Sequence, residues 1–331
     1  MMKFLLLALL LGCTAPQERP AQGPTAAAAP EVPAVVPPSN PALSSALRSW
    51  CEETEQEFKR YGWGKSRCEE FTWHHVRNSH QGRALPWMVF GSEENLEKKN
   101  VTLIMCGVHG DEITPIKFCY DILYDLKDYH WDLTERLIVV APIVSPDSFF
   151  KSRPTRTNAN GVDVNRNFPT KDWSADALRL WRQRHGSDKR RYPGKKALSE
   201  PEVVFQVNLI KRYRPSKIIS VHSPLMMLDY DGPELQHADS VSAKDLLLSM
   251  SEKASGYKVS NYPHFPGSLG NWAGKELGIP TYTLELPNSD PHQSQRFWHL
   301  FREAIHHAIE EKLAPRSVVD AEKSSDAKRP L

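Results

Sequence analysis

Short runs of apolar and β-branched residues alternate along the chain with longer segments in which apolar residues recur every three or four positions. The short runs predict buried strands, and the longer segments predict helices with one buried face. The predicted strands cover residues 83–91, 100–108, 136–144, 217–222 and 281–286. The predicted helices cover residues 113–128, 198–215 and 242–255. This alternation predicts an α/β fold with a mixed, largely parallel central sheet flanked by helices.

Both ends of the helix predicted at 198–215 carry sequence signals. Ser199 and Glu202 have the spacing of a capping box, in which the two side chains satisfy backbone N–H groups of the first turn. Arg214 precedes Pro215, and the residue before a proline disfavours the helical conformation. We therefore expect a helix that begins near Ser199 and ends at Arg214.

The first residues of the chain, MMKFLLLALLLGC, have the layout of a secretory leader. Their apolar stretch is too short to span a bilayer as a helix. The end of residues 1–13 resembles the lipobox of bacterial lipoproteins, which implies cleavage before Cys13, lipid on that cysteine and attachment to a membrane of the cell envelope. Thr14 after it resembles the outer-membrane form, facing the periplasm. The alternatives are an ordinary cleaved leader and a cytosolic protein with an apolar start.

Composition divides the rest of the chain into three segments. Residues 14–44 are rich in proline and alanine and hold few large apolar side chains, which is typical of a tether without a packed core. Residues 45–314 carry the strand and helix patterns and form the predicted folded domain. Residues 315–331 are charged and without pattern, as expected of a flexible tail.

Bulk composition and charge add little to this picture. The 331 residues include 40% hydrophobic and 25% charged residues, which is ordinary for a globular protein. The formal net charge of +2 favours no class of partner, and the sequence has no nucleic-acid-binding motif and no transmembrane segment. The basic segment 181–196 suits either a solvated loop or contact with an anionic polymer. We expect a monomer that does not bind nucleic acid.

Four cysteines follow Cys13, and in an exported protein they can form disulfides. The simplest pairing joins Cys51 to Cys68 and Cys106 to Cys119, although four cysteines allow three connectivities. Cys106 also suits a reduced core position in its strand. The chain has no CxxC motif, which disfavours a cysteine-based zinc or redox site.

Side chains of metal-ligand type lie near the ends of predicted strands. His109 and Glu112 follow the strand at 100–108, and His222 and Glu285 lie at the ends of two later strands. Ligands of open α/β sheets bind beyond the carboxyl ends of the strands, so these side chains are expected at one edge. Two histidines and a glutamate are a sufficient set for a catalytic zinc. The alternative for each is a polar residue in a solvated turn or at a strand end.

The segment TRTNANGVDVNRNFP, residues 155–169, is rich in asparagine and arginine. A guanidinium binds a carboxylate through two parallel hydrogen bonds, so this composition favours recognition of a carboxylate by Arg166 and Asn165. A surface loop whose asparagines satisfy backbone groups is the alternative.

Four motifs together resemble, in order and spacing, the zinc carboxypeptidase family, the metallocarboxypeptidases of the carboxypeptidase A type. They are His109-x-x-Glu112, the sequence GVDVNRNFP at 161–169, His222-Ser223-Pro224, and Glu285 within TLELP. The resemblance covers about Val76 to Ile309. It implies that residues 45–314 form a catalytic domain with the zinc-carboxypeptidase (phosphorylase/hydrolase-like) architecture.

The resemblance also implies a role for each matching residue. His109, Glu112 and His222 would bind a single zinc ion, and Glu285 would be the general base. Asn165 and Arg166 would bind the terminal carboxylate of the substrate.

Three further roles follow from position in the motifs. Arg156 is expected to polarise the scissile carbonyl, with Arg153 as the alternative. Tyr262 occupies the place of a mobile substrate-binding tyrosine, or else is a packed aromatic. Leu269, which follows Gly267-Ser268, is expected in the side-chain pocket, and positions 269–271 hold no acidic residue that would select lysine or arginine.

Segments 225–233 and 262–274 resemble the bacterial branch of the family that acts on peptidoglycan peptides, the murein peptide amidases and cell-shape-determining carboxypeptidases. The resemblance implies stem peptides as substrates and hydrolysis of the γ-D-Glu–meso-diaminopimelate bond, from tripeptide to dipeptide.

Three other functions stay open at this point. The first is a general zinc carboxypeptidase that acts on protein peptides. The second is a hydrolase of acylamino acids that resembles the succinylglutamate desuccinylase and aspartoacylase group. The third is a non-catalytic peptide-binding lipoprotein of the envelope.

Overall fold

The computed structural model describes residues 43–233 and 241–313 of the chain. The leader with Cys13, residues 14–42 of the predicted tether and the tail 315–331 lie outside the described residues. The expectations for those segments, including lipid on Cys13, therefore stay predictions.

The described residues contain a six-stranded sheet in the order β1, β3, β2, β4, β6, β5. Its strands are β1 (Met88–Phe90), β2 (Asn100–Met105), β3 (Arg136–Ala141), β4 (Lys217–His222), β5 (Met227–Asp231) and β6 (Thr281–Glu285). The four inner strands are parallel, and β1 and β5 pair antiparallel at the two edges. The predicted mixed, largely parallel sheet is confirmed.

Helices cover both faces of this sheet. The α-helices in the described residues are α1 (Ser45–Tyr61), α2 (Ile113–Asp128), α3 (Pro146–Phe149), α4 (Leu178–His185), α5 (Pro201–Tyr213), α6 (Ala243–Lys253) and α7 (Ser294–Glu310). The sequence patterns located α2, α5 and α6 but did not single out α1, α3, α4, α7 or strand β5. Among these helices none is both long and apolar enough to cross a membrane.

The inner strands are buried on both faces, because two helical layers enclose them. On β2, Leu103 belongs to the apolar cluster that includes α5, whereas its neighbour Ile104 belongs to the cluster that includes α1, α2, α6 and α7. The same alternation occurs on β4, where Ile218 and Ile219 belong to opposite clusters. This double burial fixes the sheet firmly and holds the carboxyl ends of its strands at one edge.

The capping box predicted for α5 is wrong. The residue that caps the helix is Glu200, its side chain makes no capping bond, and Pro201 occupies the first turn. The carboxylate of Glu202 instead accepts a hydrogen bond from Asn158 Nδ2 at 3.0 Å. Tertiary contact thus replaces the local bond that the spacing indicated. The predicted end is confirmed, since Arg214 adopts the left-handed conformation directly after the helix.

Two disulfides join the cysteines of the folded domain. Cys51 in α1 bonds to Cys68, and Cys106 after β2 bonds to Cys119 in α2. This is the simpler of the expected pairings, and the alternative of a reduced Cys106 is wrong. The second disulfide ties the end of β2 to α2, on either side of the turn that carries His109.

Candidate active site

Three strand ends position the candidate metal ligands. His222 is the last residue of β4 and lies opposite Glu285, the last residue of β6, in the register of the two parallel strands. His109 follows β2, and Glu112 directly precedes α2. In the turn between them, a side chain at Gly110 would collide with the backbone of Ser148, so only glycine fits there. The predicted convergence at one edge of the sheet is observed.

The two histidines face one carboxylate. His109 Nδ1 lies 2.8 Å from Glu112 Oε1, and His222 Nδ1 lies 2.8 Å from Glu112 Oε2. One donor atom of each residue lies within 4.8 Å of the others, and all three residues are buried. Two imidazoles and one carboxylate are a set that catalytic zinc uses in proteins.

The outer nitrogens of both rings have partners of their own. His109 Nε2 lies 3.0 Å from Asp163 Oδ1, and His222 Nε2 lies 3.0 Å from Ser220 Oγ. Hydrogen bonds at Nε2 favour the tautomer that leaves the Nδ1 lone pair free for a metal, as is usual for histidine ligands. The residues present therefore fit a zinc ion.

Electrostatics keep the acids of this site ionised. Burial opposes ionisation of Glu112, but the facing rings of His109 and His222 outweigh it and lower the pKa of the carboxyl. Burial likewise opposes ionisation of Asp163, and Arg156 together with His109 holds its pKa well below the usual range. Both carboxylates are therefore negative at neutral pH, which favours a divalent cation.

Arg156 connects these two acids. Its Nε donates to Asp163 Oδ2 at 3.0 Å, and its Nη1 donates to Glu112 Oε1 at 3.1 Å. Arg156 also lines a cavity of about 420 Å³ beside the candidate metal ligands. Arg153 is exposed and is not among the described residues that line the cavity. The geometry thus places Arg156, rather than Arg153, beside the candidate metal ligands.

Asn165 and Arg166 line the same cavity. Asn165 Oδ1 accepts a hydrogen bond from the Leu269 N–H at 2.8 Å, and the Arg166 guanidinium stacks on Phe265 at 4.3 Å. Burial lowers the pKa of Arg166 to about 10, so the group stays charged at neutral pH. Among the described residues Arg166 forms no ion pair with a carboxylate, which leaves its charge for a bound anion.

Tyr262 and Leu269 complete the predicted set. Both line the cavity, where Tyr262 is 37% exposed and Leu269 is almost fully buried. The Tyr262 ring packs near Phe265, with ring centroids 5.8 Å apart. Leu269 thus forms part of a wall, whereas Tyr262 lies at the accessible side.

Glu285 lines the cavity next to the candidate metal ligands. Its Oε2 accepts a hydrogen bond from the Leu225 N–H at 3.2 Å, and burial raises the pKa of its carboxyl. A carboxylate with a raised pKa is a better acceptor of a proton near neutral pH than an exposed one.

Sequence reasoning missed four polar residues around this cavity. Asp163 and Ser220 orient the histidines, and Asp229 and Asp231 line the cavity from β5. Asp163 lies within the GVDVNRNFP motif and could have been singled out there. Asp229 and Asp231 alternate at strand period shortly after His222, and that period was the available signal.

The chain belongs to the zinc carboxypeptidase family, whose pattern matches residues 65–314. It is therefore a zinc peptidase, a hydrolase of peptide bonds, and the family resemblance seen in the sequence is confirmed.

Two curated relatives are murein peptide amidases A. The chain is 30% identical to the protein of Vibrio campbellii over 196 residues, which is 58% of this chain and 71% of that protein. It is 30% identical to the protein of Escherichia coli K12 over 188 residues, 56% of this chain and 70% of that one.

Two solved structures share the fold. The murein-tripeptide amidase of Escherichia coli O157 is 26% identical, with a TM-score of 0.51, and the match covers 73% of this chain and 94% of that one. The carboxypeptidase A of Helicoverpa armigera is 18% identical with a TM-score of 0.59, over 85% of this chain and 73% of that one. The expected zinc-carboxypeptidase architecture is therefore confirmed.

Proposed function

We propose that this protein removes the terminal diaminopimelate from peptidoglycan stem tripeptides, by hydrolysis of the γ-D-Glu–meso-diaminopimelate bond. The observation that carries the proposal is one cavity that joins a candidate His-Glu-His metal site and Glu285 to Arg166, a cationic group that pairs with no carboxylate of the described residues. The murein peptide amidase relatives support the choice of substrate.

Different residues of the cavity have different roles in the proposed reaction. His109, Glu112 and His222 would hold the zinc ion, which would supply Lewis acidity for the attacking water and the scissile carbonyl. Glu285 takes the proton of the attacking water and passes it to the departing amine. Arg156, fixed by Asp163, supplies positive charge where the carbonyl oxygen becomes negative.

Other residues of the cavity hold the substrate. Arg166 and Asn165 bind the carboxylate of the terminal residue and so place the preceding bond at the reacting centre. Leu269 contacts the stem of the terminal side chain, and Tyr262 covers the bound peptide from the accessible side. A stem extended beyond diaminopimelate lacks the free carboxylate at this point and is therefore a poor substrate.

The sequence outside the described residues supports a place for this reaction in the cell. Lipid on Cys13 and the tether at 14–44 would hold a monomeric catalytic domain at the outer membrane, facing the periplasm. Peptidoglycan stems are accessible from that compartment, so the proposed location and substrate agree.

The test is release of diaminopimelate from L-Ala-γ-D-Glu-meso-diaminopimelate, followed by mass spectrometry. We expect zinc-loaded wild-type protein to release it and Glu285→Gln to bind zinc normally but turn over at least about 10³-fold more slowly. Wild-type protein that binds zinc without cleaving the tripeptide would contradict the proposed substrate. Cleavage of pentapeptides as fast as tripeptides would contradict the role given to Arg166 and Asn165.

A further inference from the structure

Strand β5 carries two aspartates into the cavity. Asp229 and Asp231 alternate along the strand with Tyr230, so their side chains lie on one face of the sheet together with Met227. Met227 pairs with Glu285 in the antiparallel register of β5 and β6. The two aspartates therefore extend the same surface that presents Glu285, and both line the cavity beside the metal site.

Asp229 is buried, and the side chain of Asp231 is 13% exposed. Asp229 is 4% exposed, and its Oδ1 accepts a hydrogen bond from the Tyr262 N–H at 2.9 Å. Asp231 Oδ1 lies 3.0 Å from His264 Nδ1. A side chain at Gly270, the residue after Leu269, would collide with the Asp231 carboxylate, so the backbone closes tightly on this group.

Within the part of the chain that the structure describes, no lysine or arginine forms an ion pair with Asp229 or Asp231, and the one ion-pair partner is His264. Burial lowers the pKa of His264, which makes its ring neutral at pH 7. Burial, together with the charge of Asp229, raises the pKa of Asp231 to about 7. The site thus disfavours two negative charges until a cation enters, and a bound ammonium would favour the ionised form of both groups.

The distance along the strand suits the side chain of a diamino acid. Met227 pairs with Glu285, and Asp229 lies two residues further along β5. The distance along the strand between Glu285 and Asp229 is therefore about 7 Å. Four carbon–carbon bonds separate Cα from the carbon that bears the distal ammonium of diaminopimelate, which places that ammonium roughly 6 Å from Cα. Asn165, which together with Arg166 is proposed to bind the terminal carboxylate, contacts Leu269. The next residue, Gly270, lies against the Asp231 carboxylate, so one short segment connects the two ends of the proposed site.

We propose that Asp229 and Asp231 form a subsite that binds the side-chain ammonium of the residue being released. The inference rests on the proposed function, because it assumes that the terminal residue enters this cavity with its carboxylate at Arg166. It names the class of released residue as an L-diamino acid with a distal ammonium. The acidic residues that would select this side chain lie on β5. Positions 269–271 contain no acidic residue.

The test compares three stem tripeptides that differ only at the distal carbon of the last residue. They end in meso-diaminopimelate, in L-lysine, which keeps the ammonium without the carboxylate, and in L-2-aminopimelate, which keeps the carboxylate without the ammonium. We expect the first two to be cleaved with kcat/KM about 100-fold above the third, as a desolvated ammonium–carboxylate contact would give. In Asp229→Asn and Asp231→Asn we expect this preference to fall about tenfold or more.

A matched control is Asp132→Asn, because Asp132 is an exposed aspartate outside the described cavity lining. Its selectivity should equal that of the wild type. Equal cleavage of all three stems by the wild type, or unchanged selectivity in both β5 variants, would overturn the subsite while leaving the proposed function intact.

A binding measurement tests the subsite even if no stem tripeptide is cleaved. Isothermal titration calorimetry measures the affinity of zinc-loaded protein for free L-lysine and for L-norleucine, which lacks the distal ammonium. Tighter binding of lysine than norleucine, lost in Asp231→Asn, would support the subsite although the proposed substrate had failed. Equal binding of the two amino acids would overturn the subsite as well.

Discussion

Asp163 supports two functional side chains at once. One of its oxygens contacts His109 Nε2 and the other accepts from Arg156 Nε, each at 3.0 Å, while the residue itself is fully buried. Because the carboxylate contacts both the candidate metal ligand His109 and Arg156, which is proposed to face the scissile carbonyl, we expect its charge to affect both metal binding and turnover. Both effects therefore depend on the side chain of Asp163 itself.

We therefore expect Asp163→Asn to weaken zinc binding and to lower kcat/KM on the tripeptide, each about 10- to 100-fold. The amide keeps the shape of the side chain but cannot accept from both partners with a full negative charge. Zinc competition with a chelator and the mass-spectrometric assay measure the two effects. The exposed variant Asp132→Asn should change neither, and unchanged zinc affinity in Asp163→Asn would contradict the role given to Asp163.

At the scale of elements, the first turn of α5 contains a buried acid that does not cap it. Glu202 is fully buried, and burial raises the pKa of its carboxyl to about 7 from an ordinary 4.5. Its Oε1 has no hydrogen-bond partner among the described residues. The folded protein therefore keeps a proton on Glu202 between about pH 4.5 and 7, where the unfolded chain has released it.

Stability should accordingly fall as the pH rises through that window, because the folded state binds the extra proton. We expect Glu202→Gln to be more stable than the wild type at pH 8 by up to about 3 kcal/mol, and equally stable at pH 4. Urea unfolding at the two pH values measures the difference. Glu94→Gln, at an exposed glutamate, is the control. A Glu202→Gln variant with the same pH dependence as the wild type would refute the assignment.

The elements differ in how far the sequence could predict them. Strands β2, β3, β4 and β6 are largely buried on both faces, so each is rich in apolar and β-branched residues and is easily recognised. Strand β5 mixes apolar residues with Asp229 and Asp231, because its polar positions face the cavity. The cap of α5 was mispredicted for a similar reason, since Glu202 is used by Asn158 rather than by its own helix.

The candidate site followed the same rule. His109, Glu112, His222 and Glu285 could be predicted because motif order and strand ends both indicated them. The contacts of Asp163 and the placement of Asp229 depend on chain segments that are distant in sequence, so only the structure brings them together. Residues whose function is set by a partner across the fold leave little local signal.

For the whole molecule, the cavity presents opposite charges to different parts of one substrate. Arg156 and Arg166 supply positive charge, whereas Asp229 and Asp231 supply two carboxyl groups that a bound ammonium would favour in the ionised form. A terminal diamino acid has a matching distribution, with a carboxylate at its α-carbon and an ammonium at the far end of its side chain. The two proposals thus describe one recognition event along the length of a single residue.

The proposed lipid on Cys13 concerns where this event takes place and not its chemistry. Cys13→Ala in the full chain, produced in a Gram-negative host, should move the protein from the membrane fraction to the soluble fraction. Because the catalytic domain at 45–314 holds every residue proposed for the reaction, kcat/KM on the soluble tripeptide should stay within about twofold of the wild type. Fractionation with an immunoblot and the mass-spectrometric assay measure the two properties on the same preparations.

A control is the double variant Cys51→Ala with Cys68→Ala, which removes two other cysteines, and with them one disulfide, but leaves the proposed attachment in place. That variant should remain in the membrane fraction. Wild-type protein in the soluble fraction would contradict lipid on Cys13. The leader at 1–13 would then be cleaved in the ordinary way or not at all, and residues 14–44 would not act as a membrane tether. The chemistry proposed for the cavity would be unaffected, because it depends on residues of the folded domain alone.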